Sequence, residues 1–252
     1  MITNNMKVYY LLLLLPMLVF IACGDSEIEE QDDSVLGYDY FPLEVGDTWI
    51  YSVDSLKIVQ EGLSNRVTQS FIREQVTDLI NEDDDERSYR IERSYRSDSI
   101  GAWQLTDVWT TSIDDDRATR TEENLRFIKL VFPVVEGTSW DGNAFFDDSK
   151  FYPAGADEIQ IYLDWNYRLV DQGNSAIIGS INYEDVAKVE QHNDTTNISL
   201  RYAEETYAKG IGLVERRMAI YDTQEQNTDL SWDDRAEVGF RLHQTLISYT
   251  KG

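Results

Sequence analysis

Cysteine is all but missing from this sequence, with one residue in 252, at position 23. A framework of disulfides is therefore excluded. Histidine is nearly as scarce, with only His192 and His243. A nucleophilic triad needs a base, and neither histidine lies near a G-x-S-x-G elbow. A zinc centre built on H-E-x-x-H or cysteine pairs has no material either. Basic residues are few, 22 against 47 acidic ones, for a net charge of −25. Phosphate contacts need clustered Lys and Arg, so nucleic acid is excluded as a partner. Electrostatic adhesion to an anionic bilayer is excluded on the same ground. No Pro- or Ser-rich linker, internal repeat or long helical stripe interrupts the chain after residue 35.

The basic residues that do occur are unevenly placed. Lys7 is the only one in the first 56 positions. It is followed by an uncharged, mostly apolar run of 15 residues, Val8 to Ala22, with small Ala22 at its end. A charged start, a short apolar stretch and a small residue are the parts of a secretory signal. As a helix the run would reach about 22 Å, short of a bilayer core about 30 Å thick. Beyond Cys23, six of the nine residues from Asp25 to Asp33 are acidic. Such a run repels itself and stays extended. The sequence divides into a signal at 1–22, an acidic tether at 23–34 and a single domain at 35–252. Removing residues 1–22 removes one Lys, leaving 21 basic against 47 acidic residues, a net of −26.

Within the domain the dominant period is two. Ile159, Ile161, Leu163, Trp165, Tyr167 and Leu169 occupy successive odd positions and read as one strand with a buried face. Trp49, Tyr51 and Val53 alternate in the same way, as do Tyr89, Ile91 and Tyr95, then Ile198, Leu200 and Tyr202, and Val238, Phe240 and Leu242. Trp103, Leu105, Trp109 and Ile113 form a looser version. Polar breakers at Glu61-Gly62, Asn81 to Glu86, Ser97 to Ser99, Asp114 to Asp116, Gln172 to Asn174 and His192 to Asp194 read as hairpin loops. Residues 64–80 suit either a helix or a strand. The pattern predicts an all-β, mainly antiparallel fold of about 9–11 strands, curled into a barrel or split into a sandwich, with at most one or two short helices.

Phe20-Ile21-Ala22-Cys23 resembles the lipobox of bacterial lipoproteins, with Phe20 where Leu is usual. The resemblance implies cleavage before Cys23 and a lipid on its sulfur, so that the membrane is a partner through this anchor. The acidic run after Cys23 resembles the export tag of Bacteroidetes-type lipoproteins, which implies the outer face of the outer membrane, the periplasm being the alternative. Three further segments resemble an uncharacterised family of such lipoproteins: Tyr40-Phe41-Pro42-Leu43 with Gly46, Trp49 and Tyr51; Leu130-Val131-Phe132-Pro133 with Gly137 and Trp140 to Asn143; and Tyr207-Ala208-Lys209-Gly210-Ile211-Gly212-Leu213-Val214. This likeness implies location and fold class and no activity.

A binding or accessory module at the outer membrane is the first functional expectation. Trp103, Trp109 and Trp232 lie beside polar, loop-like sequence and are the candidates to meet a glycan or an envelope protein. A lipocalin-like carrier barrel holding an apolar ligand is the second. A hydrolase using two carboxylates is the third. No catalytic residue, metal site or cofactor is assigned. Gly210-x-Gly212 lacks the third glycine of a phosphate loop. The acidic stretches Glu82 to Glu86 and Asp114 to Asp116 lack the turn glycine of a tight calcium loop and read as solvated hairpin tips.

The lipid anchor has a direct test. Metabolic fatty-acid labelling should mark the wild-type protein and vanish in Cys23→Ala, and proteolysis of intact cells should shave the wild type from the surface.

Overall fold

The computed structural model describes residues 33–58, 66–83, 86–154 and 157–252. The signal, most of the tether, Cys23 and the Glu61-Gly62 loop lie outside these residues. The unit from Asp33 to Gly252 holds fourteen strands in two sheets.

Twelve strands form one antiparallel, nearly closed barrel-like sheet. In chain order they are β1 (Thr48–Ile58), β2 (Arg66–Asp83), β3 (Glu86–Arg96), β4 (Gln104–Ile113), β5 (Arg117–Glu122), β6 (Leu125–Val131), β7 (Ser139–Trp140), β10 (Tyr167–Ile178), β11 (Ile181–Thr195), β12 (Ser199–Ala208), β13 (Gly212–Asp222) and β14 (Val238–Thr250). Their order in the sheet is β6-β5-β4-β3-β2-β1-β14-β13-β12-β11-β10-β7. The short hairpin β8 (Phe151–Ala154) and β9 (Asp157–Gln160) forms the second sheet. Among the described residues helix is confined to α1 (Asp33–Leu36), a 3-10 turn at Tyr38–Tyr40 and α2 (Trp232–Arg235).

The two outermost strands approach each other without forming a ladder. Ile128 N–H of β6 donates to Gly142 O at 2.9 Å, and Trp140 Nε1 donates to Ile128 O at 2.9 Å. Gly142 is required at this seam because a Cβ there would lie 2.4 Å from the ring of Tyr167.

Period-two alternation places the core. Trp49, Tyr51 and Val53 on β1, Ile72 and Val76 on β2, and Tyr89 and Ile91 on β3 are buried in one main cluster. On the opposite face of β1, Leu56 and Ile58 join Tyr221 and Trp232 in a small second cluster. There Ser231 caps α2 by accepting from Asp234 N–H, and Trp232 stacks on Tyr221 with ring centroids 6.2 Å apart. Elsewhere the outer face carries exposed charges such as Arg217 and the pair Arg90–Glu92.

One end of the barrel is closed by the segment that precedes β1. Gly210 N–H donates to Asp39 O at 2.7 Å, Trp49 Nε1 to Ile211 O at 2.6 Å and Val134 N–H to Leu36 O at 2.9 Å. Buried Asp47 accepts from Glu44 N–H at 2.9 Å and from the terminal Gly252 N–H at 3.0 Å. The first and third segments of the lipoprotein resemblance thus meet at this closed end, joined by Phe132 of the second, whose ring lies 4.6 Å from that of Tyr38, while Trp140 to Asn143 lie at the β6–β7 seam. The other end, where β1 finishes and β14 begins, is the mouth, partly covered by the β8–β9 hairpin.

Three local readings need correction. The run from Ile159 to Leu169 is not one strand. It is the end of β9, a turn with Asp164 at φ 59°, and the start of β10. The chain turns there from the hairpin into the wall, and Leu163 is left exposed. Gln172 to Asn174 is not a hairpin loop but an irregular stretch inside β10, where Gly173 adopts φ 77° and the register shifts. His192 to Asp194 also lies inside a strand, β11, paired with Tyr202 and its neighbours on β12. Residues 66–80 of the ambiguous segment are strand.

Because overpacking costs about 1–3 kcal/mol, Gly142→Ala should lower unfolding stability by that amount in a denaturant titration, while Gly137→Ala tests backbone strain alone.

Candidate functional site

Charged side chains stand where alternation places core residues. Glu74 lies between Ile72 and Val76 on β2, Glu205 between Ala203 and Tyr207 on β12, and Arg216 between Val214 and Met218 on β13. With Arg120 and Glu122 on β5 and Lys129 on β6, they form an ion network inside the barrel. Lys129 Nζ lies 2.9 Å from Glu122 and 3.1 Å from Glu205. Arg216 donates to Glu122 through Nη1 at 3.1 Å and Nη2 at 2.8 Å, and to Glu205 through Nε at 2.7 Å. Tyr207 OH donates to Glu205 at 2.6 Å. Arg120 reaches Glu74 at 3.0 Å and lies over the Phe41 ring at 5.7 Å. Three cations thus meet three carboxylates.

Burial alone would push the Glu122 and Glu205 carboxyls up, but Arg216 and Lys129 outweigh it and hold both below the ordinary glutamate value. Burial pushes Arg120 and Arg216 down, and their carboxylate partners more than reverse this. Burial raises the phenols of Tyr51, Tyr167 and Tyr207. Glu122 and Glu205 are shared between the same two cations, Arg216 and Lys129, which favour the charged form of both. Beside them is a cavity of about 40 Å³, walled partly by Tyr162 and Trp165. That is room for about one water at roughly 30 Å³ each.

A larger cavity, about 340 Å³, opens at the mouth. Its lining is mostly apolar: Leu56, Pro153, Ala154, Ile159, Ile161, Phe240 and Leu242, with Ser55, Lys57, Gly239 and Arg241. The β8–β9 hairpin supplies one wall, and the ends of β1 and β14 supply the other. A third hollow, about 380 Å³, lies by the closed end between β11 and the β12–β13 turn. There Lys209 is neutralised by Asp39 at 3.3 Å and Asp185 at 3.9 Å.

The three tryptophan candidates are not brought together. Trp103 is half-buried at the start of β4, with the Arg96 guanidinium 4.2 Å and that of Arg73 5.2 Å from its ring centre. Trp109 is buried inside the barrel against Arg93. Trp232 is half-buried on α2 between Tyr221 and Arg235. Of the histidines, His192 stacks on Trp165 with ring centroids 5.7 Å apart, and His243 Nε2 lies 2.8 Å from Glu215. Neither the mouth cavity nor the ion network was singled out from the sequence. The signal for the network was an acid or base at a core position of an alternating strand. The cavity gave no such signal, because its walls come from segments far apart in the chain.

The class defined by these features is a nearly closed antiparallel barrel with an ionic interior and an apolar cavity at its mouth. No protein family and no curated protein matches the chain. Among solved structures it is similar to a crystal structure, at 2.70 Å resolution, of a lipoprotein candidate from Parabacteroides distasonis ATCC 8503. The identity is 13%, with 84% of this chain and 98% of that one covered, and the TM-score is 0.34.

Removing one partner of a buried ion pair costs about 3–5 kcal/mol, and Arg216→Met should destabilise the barrel by that order. Both carboxylates titrate below their ordinary value in the fold, so their contribution is complete above about pH 4.3 and is withdrawn as pH falls beneath it. The stability difference between wild type and Glu205→Gln, measured by denaturant titration, should therefore be constant near neutrality and shrink in acid.

Proposed function

We propose that this protein is a non-catalytic, lipid-anchored envelope lipoprotein whose barrel binds a small apolar ligand at its mouth. The observation that carries this reading is the cavity of about 340 Å³ walled by Pro153, Ala154, Ile159, Ile161, Phe240 and Leu242. Ligand sites are concave, mostly apolar and about 300–1,000 Å³ in volume. The mouth lies opposite the end at which residues 33–47 meet the barrel, so a ligand reaches it from the side remote from the incoming chain.

Several features favour binding over catalysis. The buried carboxylates are fully engaged with cations, and the space beside them is too small for a sugar. The candidate tryptophans are packed beneath arginines or inside the core, which weakens a glycan platform built on them. The anchor on Cys23 and an outer-membrane address rest on the lipobox and on the acidic run. The charged outer wall of the barrel suits a domain held in water beside a membrane.

Organic extraction of the purified protein followed by mass spectrometry should release an apolar compound in stoichiometric amount. Ala154→Trp places an indole in the cavity from the β8–β9 hairpin, outside the twelve-stranded sheet. It should abolish ligand recovery while leaving the unfolding midpoint close to that of wild type. A clean extract from wild-type protein, together with no binding of added alkyl compounds, would overturn the reading.

A further inference from the structure

We infer that the mouth cavity selects an anionic amphiphile, a single alkyl chain ending in a carboxylate; this rests on the apolar-ligand reading above and adds the charge of the head group. Acids outnumber bases 47 to 22 in this chain, yet the described residues lining the cavity include Lys57 and Arg241 and no acid. The two cations differ. Arg241 is paired with Asp233 at 3.0 Å. Lys57 is exposed and has no carboxylate within 4.0 Å among the described residues.

The sheet register strengthens the point. Lys57 stands opposite Phe240 on β14, so both side chains leave the sheet on one face. A basic residue beside an aromatic ring at the rim of an apolar hollow, in an acid-rich chain, is accounted for by an anion that sits between water and the cavity. The apolar walls then take the chain, and Lys57 takes the head through a charge-assisted hydrogen bond. At roughly 30 Å³ per water-sized group, the volume of about 340 Å³ admits on the order of ten such groups. A medium-length alkyl chain meets that limit.

The test is calorimetric titration of the purified protein with decanoate and, separately, with decanol, at low and high salt. Decanoate should bind about tenfold more tightly than decanol at low salt, and the preference should narrow as salt screens Lys57. Lys57→Gln should lower decanoate affinity about fivefold to tenfold and leave decanol affinity unchanged, the second measurement showing that the cavity is intact. Equal binding of the two compounds by wild type, or decanoate binding indifferent to Lys57→Gln, overturns the inference and leaves the apolar site standing. Binding of neither compound overturns both.

Discussion

The barrel depends on an ionic bridge across its interior. Its sheet does not close by a ladder, because β6 and β7 meet through only a few hydrogen bonds around Ile128, Trp140 and Gly142. The two ends of the strand order are also held from within. Glu122 and Lys129, near one end of that order, share Arg216 and Glu205, which come from β13 and β12 near the other side. Burying six charges carries a desolvation cost that only well-formed pairing offsets. The short distances, the bidentate contact of Arg216 with Glu122 and the added hydroxyl of Tyr207 meet that condition. The apolar face of each strand fixes its register, since a one-residue slip would turn that face to water, and the ion network sets the distance between the strands that carry its partners.

The two ends of the barrel contrast. The closed end is filled by the residues before β1, which lend their backbone to the β12–β13 turn and their aromatic rings to Arg120 and Tyr207. Short hydrogen bonds tie that segment down, and the hollow beside it is edged by the charged trio Asp39, Asp185 and Lys209. Among the described residues the β8–β9 hairpin lies across the mouth, and the wall there is mostly apolar. Rigidity is concentrated at one end and an accommodating surface at the other. This arrangement suits a container whose opening admits a guest without disturbing the ions beneath.

The strands were legible because alternation is a local property: Trp49, Tyr51 and Val53 announce a buried face from three residues. The long pattern from Ile159 to Leu169 shows the limit of that reasoning. Most of its odd positions are buried, but in two different elements separated by a left-handed turn at Asp164. Alternation reports burial and does not report continuity of a strand. His192 and its neighbours show the opposite error, since polar residues near the mouth remain in a paired strand where one face meets water. The ion network was half-legible. Glu74, Glu205 and Arg216 interrupt apolar faces, and Glu205 and Arg216 meet across neighbouring strands 11 residues apart, but Arg120, Lys129 and Glu122, which complete the network, lie 46, 76 and 94 residues from Glu74, Glu205 and Arg216. The mouth cavity depends on how a distant hairpin leans over β1 and β14, which no local pattern encodes.

The contact between Gly252 and Asp47 has a practical consequence. Gly252 is fastened beside the loop that leads into β1, at the closed end and away from the cavity. A polypeptide appended after Gly252 would emerge there. Immobilising the protein through such an appendage would leave the cavity facing the liquid, so a sensor chip prepared this way presents its binding end uniformly to the analyte.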